Sequence, residues 1–209
     1  RGIGRLPGRQ GMSLYIFDMG GVMVGSFDVL PEAALRLGLP EAELRRLAAT
    51  DMDELMAGRL DADGYWARLS AASGLSVAED YWSSLFAPAL DREMDGLVRR
   101  LRSRGRAVCG TNTIASHYDY LLDAGMYDAF DAVYASHLMG VCKPDPDFWR
   151  LILDAEGAAA SDAVFVDDMA ENVEAARALG LRAHLFDGVA GLEAFLGLEP
   201  EASDRRLEA

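Results

Sequence analysis

The chain has 209 residues, of which 51% are hydrophobic and 26% are charged, and its formal net charge is -14 at pH 7. Such a chain is long enough to bury a core, and its acidity disfavours binding to nucleic acid or anionic lipid, which attract clustered Lys and Arg. A small phosphorylated substrate is not excluded, because a metal ion and one local cation can reverse the field inside a pocket.

No apolar run is long enough to span a bilayer, and the first residues lack the apolar stretch of a secretory signal. The two cysteines, Cys109 and Cys142, show no metal-ligand spacing, so reduced thiols are expected. These features favour a cytoplasmic protein. Residues 1–11 and 200–209 are expected to be disordered and to lie outside the fold.

Short apolar runs of strand length recur along the chain and are separated by stretches with helical spacing. They cover residues 13–17, 107–111, 132–136, 163–167 and 182–186. Strands that alternate with helices predict an α/β fold, with a doubly wound, Rossmann-like parallel sheet covered on both faces. We assign residues 12–27 and 91–199 to this core domain.

The regular alternation of strands and helices is interrupted once, at residues 28–90. Leucines and aromatic residues there fall at intervals compatible with helices. Pro31 can begin the first of these helices, and Asp61 can cap another. The segment is predicted to be an all-helical domain inserted after the first strand.

Polar side chains stand at the carboxyl ends of the predicted strands, the edge where open α/β sheets bind ligands. They are Asp18 after the first strand, Thr111 and Asn112 closing the second, Lys143 in the loop beyond the third, and Asp167 and Asp168 closing the fourth. A nucleophilic carboxylate, a hydroxyl, a cation and an acidic pair therefore converge on one edge.

Each of these residues also has an ordinary structural interpretation when it is taken alone. Asp18 could cap a turn, and Thr111 or Asn112 could cap the following helix. Lys143 could be a solvated loop residue, but it is the only lysine in a chain that otherwise uses arginine. Its compact ammonium suits a contact with a phosphate and with a nucleophilic carboxylate.

The pair Asp167 and Asp168 follows the apolar run AVFV, so at least one carboxylate is expected at the edge of a dry sheet. Adjacent carboxylates in such a place are difficult to keep ionised without a cation. Hard oxygen ligands favour Mg²⁺. The alternative is a solvated cluster of acidic residues that caps a helix.

The segments YIFDMGGV, AVCGTN, GVCKPDPDFW and AVFVDDMAENVEAARALG resemble, in this order, the four motifs of the haloacid dehalogenase superfamily, specifically its phosphatase branch. The resemblance covers Met12 to about Leu198, and the helical insertion is similar to the family's cap domain of the first type. Bacterial sugar-phosphate phosphatases, including the α-glucose-1-phosphate phosphatases, carry a similar first motif and a paired-Asp fourth motif.

The resemblance implies hydrolysis of a phosphate monoester with Mg²⁺ as cofactor, through an aspartyl-phosphate intermediate on Asp18. It implies that Asp18, the carbonyl of Gly20 and Asp168 bind the metal. Asp167 is expected to support this metal site, and Asn172 to hold its outer shell.

On the substrate side, the resemblance implies that Lys143 and Thr111 contact the transferred phosphoryl group. Asn112 and His117 are expected to complete the binding of a small phosphorylated metabolite, such as a sugar phosphate. A helix-surface position is the alternative for His117. The protein is expected to be a monomer or a homodimer that binds neither nucleic acid nor membrane.

One residue departs from the family pattern. Most phosphatases of this family carry, two residues beyond the nucleophile, an Asp that protonates the leaving oxygen and later activates water, and this chain has Gly20. The carbonyl at this position can still bind Mg²⁺, but the acid–base group is missing. Asp28 and His117 are the candidates to replace it.

Three alternatives compete with the phosphatase interpretation. Halide displacement from a haloacid uses the same nucleophile without a metal, but the acidic pair would repel a carboxylate substrate. Phosphonate cleavage needs a lysine in the helical insertion, which has none. A phosphate-binding or regulatory protein with weakened catalysis would explain Gly20, although it has no obvious need for Asp18.

Overall fold

The computed structural model describes residues 13–77 and 79–198, so the predictions for residues 1–11 and 200–209 lie outside the described residues. The described strands are β1 (Ser13–Phe17), β2 (Val24–Gly25), β3 (Ala89–Leu90), β4 (Gly105–Thr111), β5 (Ala132–Ala135), β6 (Ala163–Asp167) and β7 (Arg182–Leu185). Five of them form a parallel sheet in the order β5-β4-β1-β6-β7. The predicted α/β fold is therefore confirmed.

The described helices lie between these strands. They are α1 (Leu30–Leu37), α2 (Glu41–Ala48), α3 (Met52–Met56), α4 (Ala62–Ser73), α5 (Tyr81–Ser84), α6 (Arg92–Arg102), α7 (Ala115–Asp123), α8 (Ser136–Met139), α9 (Pro146–Glu156), α10 (Ala170–Ala178) and α11 (Val189–Leu196). A short 3-10 turn covers Ala160–Asp162. None of the helices in the described ranges is long and apolar enough to cross a membrane.

Both faces of the sheet are buried, which explains why its strands are apolar along their whole length. Leu14 and Ile16 of β1 belong to one core cluster, with residues of α9 and α10. Tyr15 and Phe17 point to the other face and belong to a second cluster, which includes residues of α6. Side chains alternate along a strand, so one short run supplies both layers.

Helices α1 to α5 follow β1 and β2 and form the helical insertion. Pro31 lies in the first turn of α1, and the side chain of Asp61 caps α4 by accepting a hydrogen bond from the Gly64 N–H at 2.8 Å, as predicted. At its base β2 pairs with β3 antiparallel, with Val24 opposite Leu90. The division into a core and a cap domain stays a prediction.

The aromatic residues of the helical insertion pack against one another instead of facing solvent. Their ring centroids lie 5.2–5.7 Å apart in edge and stacked arrangements, and the residues are Tyr65, Trp66, Tyr81 and Trp82. All four are buried. They supply the apolar core that such a small group of helices needs.

Gly105 provides a test of how tightly β4 packs on β1. A Cβ at this position would overlap the carbonyl oxygen of Ser13 and approach the ring of Tyr15 at 2.9 Å. We expect Gly105→Ala to lower the free energy of unfolding, measured in urea, by about 1–3 kcal/mol. The matched control is Gly96→Ala in α6, where a Cβ meets nothing within 4 Å and should stabilise the helix by up to about 1 kcal/mol. Equal effects of the two substitutions would contradict this packing.

Candidate active site

A buried lysine joins two carboxylates at the carboxyl edge of the sheet. The Nζ atom of Lys143 lies 2.9 Å from Asp18 Oδ1 and 2.7 Å from Asp167 Oδ2, and its side chain is only 1% exposed. The rings of Phe148 and Phe165 lie 5.8 and 5.5 Å from the ammonium. An ammonium has three N–H donors, so one remains for a further acceptor such as a phosphoryl oxygen.

Asp18 directly follows β1, and its position is fixed by neighbouring backbone. Its N–H donates to the Val166 carbonyl at 2.9 Å, and its Oδ1 accepts from the Met19 N–H at 2.7 Å. Within the described part of the chain, Oδ2 accepts no hydrogen bond. Burial raises the pKa of Asp18 to about 6, although the Lys143 ammonium opposes this rise. Oδ1 of Asp18 is thus held by the Met19 N–H and by Lys143, and Oδ2 is available to contact a ligand.

Asp167 is the most completely bonded carboxylate of the site. Its Oδ1 accepts from the Met169 N–H at 2.8 Å and from the Asn172 amide at 2.9 Å, while its Oδ2 accepts from Lys143. The residue is fully buried. These bonds fit the supporting role that was predicted for Asp167 and Asn172.

Asp168 lies against the backbone of the loop that follows Asp18. A Cβ on Gly21 would overlap the Asp168 carboxylate, and Gly21 has φ of +71°, which L-residues rarely adopt. Glycine is therefore required at this position on two grounds. Gly20 forms a β-bridge with Val24, and metal binding by its carbonyl stays a prediction.

The three carboxylates form an arrangement that can hold a metal ion. One oxygen from each of Asp18, Asp167 and Asp168 lies within 4.8 Å of the others. Burial and the neighbouring Asp167 raise the pKa of Asp168. Burial lowers the pKa of Lys143, but the two carboxylates outweigh it, so this pKa is raised and the lysine stays charged. One ammonium does not balance three carboxylates, and these hard oxygen donors fit Mg²⁺.

Thr111 and Asn112 lie at the same edge, at the end of β4. Thr111 is buried, and among the residues that the structure describes its hydroxyl makes only a long hydrogen bond, of 3.4 Å, to the Asn112 carbonyl. The Asn112 amide donates to the Lys143 carbonyl at 2.8 Å, and its Oδ1 accepts from the Lys143 N–H at 2.8 Å. Asn112 thus holds the backbone of Lys143, a role that the sequence did not suggest.

His117 belongs to α7 and contacts the helical insertion. Its Nε2 donates to the Trp82 carbonyl at 2.8 Å, and its ring stacks on Phe86 with centroids 3.6 Å apart. Burial lowers the pKa of His117 to about 4, so the imidazole is neutral at pH 7. None of its contacts among the described residues involves the carboxylates of the site, and its role in substrate binding stays a prediction.

Gly20 is the position where the acid–base Asp is missing, and Asp28 is a candidate to replace it. Asp28 forms an ion pair with Arg45 and accepts the Leu30 N–H at 3.1 Å, so both of its oxygens are engaged. A Cβ on Gly20 would meet the ring of Phe27 at 3.3 Å. The proximity of Phe27 was not predicted, because an isolated apolar residue in a polar loop carries no periodic signal.

Comparison with known proteins identifies a family of hydrolases to which this chain is similar. Residues 12–180 match the family of haloacid dehalogenase-like hydrolases. The sesquiterpene phosphatase astK of Aspergillus oryzae is 32% identical over 181 residues, which cover 84% of this chain and 90% of that protein. A D-ribitol-5-phosphate phosphatase of Bacteroides thetaiotaomicron is 25% identical over 179 residues, which cover 79% of this chain and 87% of that protein.

A solved structure shares the fold. It is a HAD (haloacid dehalogenase) family enzyme from Bacteroides thetaiotaomicron in complex with magnesium and inorganic phosphate, with a TM-score of 0.69 and 18% identity. The match covers 83% of this chain and 93% of that one. At this level of identity, the likeness concerns the architecture and not the chemistry of individual residues.

Burial of the Asp18 carboxylate, together with its neighbour Asp167, predicts a measurable effect on stability in metal-free buffer. The pKa of Asp18 is raised from its ordinary 3.8 to about 6, so the folded protein binds more protons than the unfolded chain between these pH values. Stability from this group therefore falls as pH rises through that window. With chelator present, Asp18→Asn should raise the free energy of unfolding at pH 7 by about 1–3 kcal/mol, because the amide keeps an oxygen acceptor without the charge.

The gain from Asp18→Asn should shrink when urea unfolding is repeated between pH 5 and pH 4, where native Asp18 is itself protonated. Asp123→Asn, which changes an exposed carboxylate at the end of α7, is the matched control and should show no such pH dependence. A loss of stability in Asp18→Asn at pH 7 would contradict the view that the Asp18 charge is costly without metal.

Proposed function

The chain belongs to the haloacid dehalogenase-like hydrolase family, and we propose that it is a Mg²⁺-dependent phosphatase that hydrolyses small phosphate monoesters through an aspartyl-phosphate on Asp18. The observation that carries this proposal is the Lys143 ammonium, held between Asp18 and Asp167 at the sheet edge. It fixes one oxygen of Asp18 and leaves the other available for attack. Thr111 lies at the neighbouring strand end.

In the first step, Asp18 Oδ2 attacks the phosphorus atom of the ester. An oxygen–phosphorus bond forms as the bond to the leaving oxygen breaks, and the alkoxide departs with the electron pair of that bond and takes a proton from water. We propose that the remaining N–H donor of Lys143 compensates charge on the phosphoryl oxygens and that the Thr111 hydroxyl donates to one of them. Catalysis of this kind depends mainly on positioning and electrostatics.

Asp18 and Asp168 would hold the Mg²⁺ directly, with Asp167 and Asn172 supporting them. When bound, the metal supplies positive charge that lets the dianionic substrate approach three carboxylates. The carbonyl of Gly20 is the further ligand we propose. Asp167 already accepts three hydrogen bonds, so its main contribution is to orient Lys143.

In the second step, water attacks the phosphorus atom of the aspartyl-phosphate and restores the Asp18 carboxylate. Proton transfer to the leaving alcohol and from this water lacks the usual Asp, because that position is Gly20. His117 is neutral at pH 7, and Asp28 is engaged with Arg45 and with the backbone. The rate of the first step should therefore depend on the acidity of the leaving alcohol, because the alkoxide departs without a proton from a side chain.

The substrate is proposed to be a small phosphorylated metabolite. Relatives are named for a sesquiterpene and for D-ribitol 5-phosphate, so the phosphoryl group is common to them and the alcohol is not. A sugar phosphate remains a candidate. We further propose a cytoplasmic monomer or homodimer that binds neither nucleic acid nor membrane, in keeping with the net charge of -14.

Metal dependence is the first test of this function. Hydrolysis of a generic aryl phosphate should disappear when the purified protein is treated with chelator and return when Mg²⁺ is added, because the carboxylates otherwise repel the substrate. Phosphate release is the measurement. Undiminished turnover in chelator would contradict the metal assignment and would favour a metal-independent use of Asp18.

Loss of the nucleophile is the second test. Asp18→Asn should reduce turnover to the background rate, since the nearly isosteric amide cannot form an acyl phosphate. Asp123→Asn is the matched control and should keep native turnover. Phosphate binding without hydrolysis in the native protein would instead support the phosphate-binding alternative that Gly20 suggests.

A further inference from the structure

An aromatic ring occupies the place that a side chain at position 20 would enter. Gly20 lies two residues beyond Asp18, and a Cβ built on it would meet two ring carbons of Phe27 at 3.3 Å. That separation is tighter than most Cβ contacts, although it is not an overlap. The ring of Phe27 therefore covers the Gly20 backbone next to the nucleophile.

The position of Phe27 is fixed by the chain on both sides. Ser26, which precedes it, has φ of +55°, and within the described ranges it is the one residue other than glycine with a positive φ. L-residues adopt this conformation at a cost, and such outliers cluster at functional sites. Asp28, which follows, is tied to Arg45 and to the Leu30 N–H. The turn thus directs the ring onto Gly20.

Phe27 also presents apolar surface to solvent at this edge. It is 39% exposed, and Met169, the residue after Asp168, is 50% exposed. The Met169 N–H donates to Asp167 Oδ1, so this residue belongs to the loop that carries the acidic pair. Phe27 and Met169 are thus two large apolar side chains that remain partly exposed.

We propose that Phe27 forms an apolar subsite for the alcohol part of the substrate, so that the protein selects phosphate monoesters whose alcohol is apolar next to the ester oxygen. This inference rests on the proposed function. A ring in place of the acid–base carboxylate excludes water from the leaving oxygen, and it offers dispersion and burial to carbon atoms rather than hydrogen bonds to hydroxyls.

The experiment measures binding, so that it does not depend on turnover. Methyl-, propyl- and hexylphosphonate resist hydrolysis, and their affinity for the Mg²⁺-loaded protein can be measured by calorimetry. Affinity should rise by up to about fourfold for each methylene that reaches the ring. A dihydroxypropylphosphonate of matched length should bind more weakly than propylphosphonate.

Phe27→Ala should flatten this rise while leaving the affinity for inorganic phosphate and methylphosphonate unchanged, because the phosphoryl contacts are not altered. Phe27→Leu should restore part of it. Leu151→Ala in α9 is the matched control, since Leu151 is 47% exposed and is not one of the site residues, and it should keep the native series.

A flat series in the native protein, or an equal rise in the native protein and in Phe27→Ala, would overturn the apolar subsite. Either result would leave the proposed phosphatase intact if aryl phosphates are hydrolysed with Mg²⁺. Conversely, a rise that depends on Phe27 in a protein that hydrolyses no ester would support the subsite and overturn the proposed function. The two failures are therefore distinguishable.

Discussion

Three carboxylates and one ammonium meet at the carboxyl edge of the sheet. The buried ammonium of Lys143 holds two of the carboxylates, Asp18 and Asp167, together. Burying these charges is costly unless they are paired and hydrogen-bonded. The surrounding contacts meet that need. The Asn112 amide binds both the carbonyl and the N–H of Lys143, and the Asn172 amide donates a hydrogen bond to Asp167. The charge that remains unbalanced is what makes this edge suitable for a divalent cation and a phosphate.

The sequence predicts the sheet and much of this site for a simple reason. Strands that are buried on both faces consist of continuous apolar runs, and the carboxyl ends of parallel strands lie at the same edge of the sheet. Asp18 follows β1 and Asp167 is the last residue of β6, and the two come together because these strands are neighbours in the sheet. Lys143 stands out because it is the only lysine of the chain. These inferences need no knowledge of side-chain conformation.

Other features depend on loop geometry, which the sequence pattern does not encode. The amide of Asn112 binds main-chain atoms of Lys143, and its predicted role in substrate binding stays a prediction. A main-chain partner in a distant loop leaves no trace in residue type. The same holds for Phe27, whose ring reaches Gly20 through the left-handed conformation of Ser26. His117 is likewise placed by the helical insertion, through Trp82 and Phe86.

The central claim is that Asp18 becomes covalently phosphorylated during turnover. The most direct measurement is to stop the reaction with acid while a good aryl phosphate substrate and Mg²⁺ are in excess, and to analyse the digested protein by mass spectrometry. We predict a phosphoryl increment on the peptide that contains Asp18, which disappears when the quenched sample is treated with hydroxylamine, as expected for an acyl phosphate. Steady turnover with no adduct at Asp18, or with the adduct on another residue, would contradict the account.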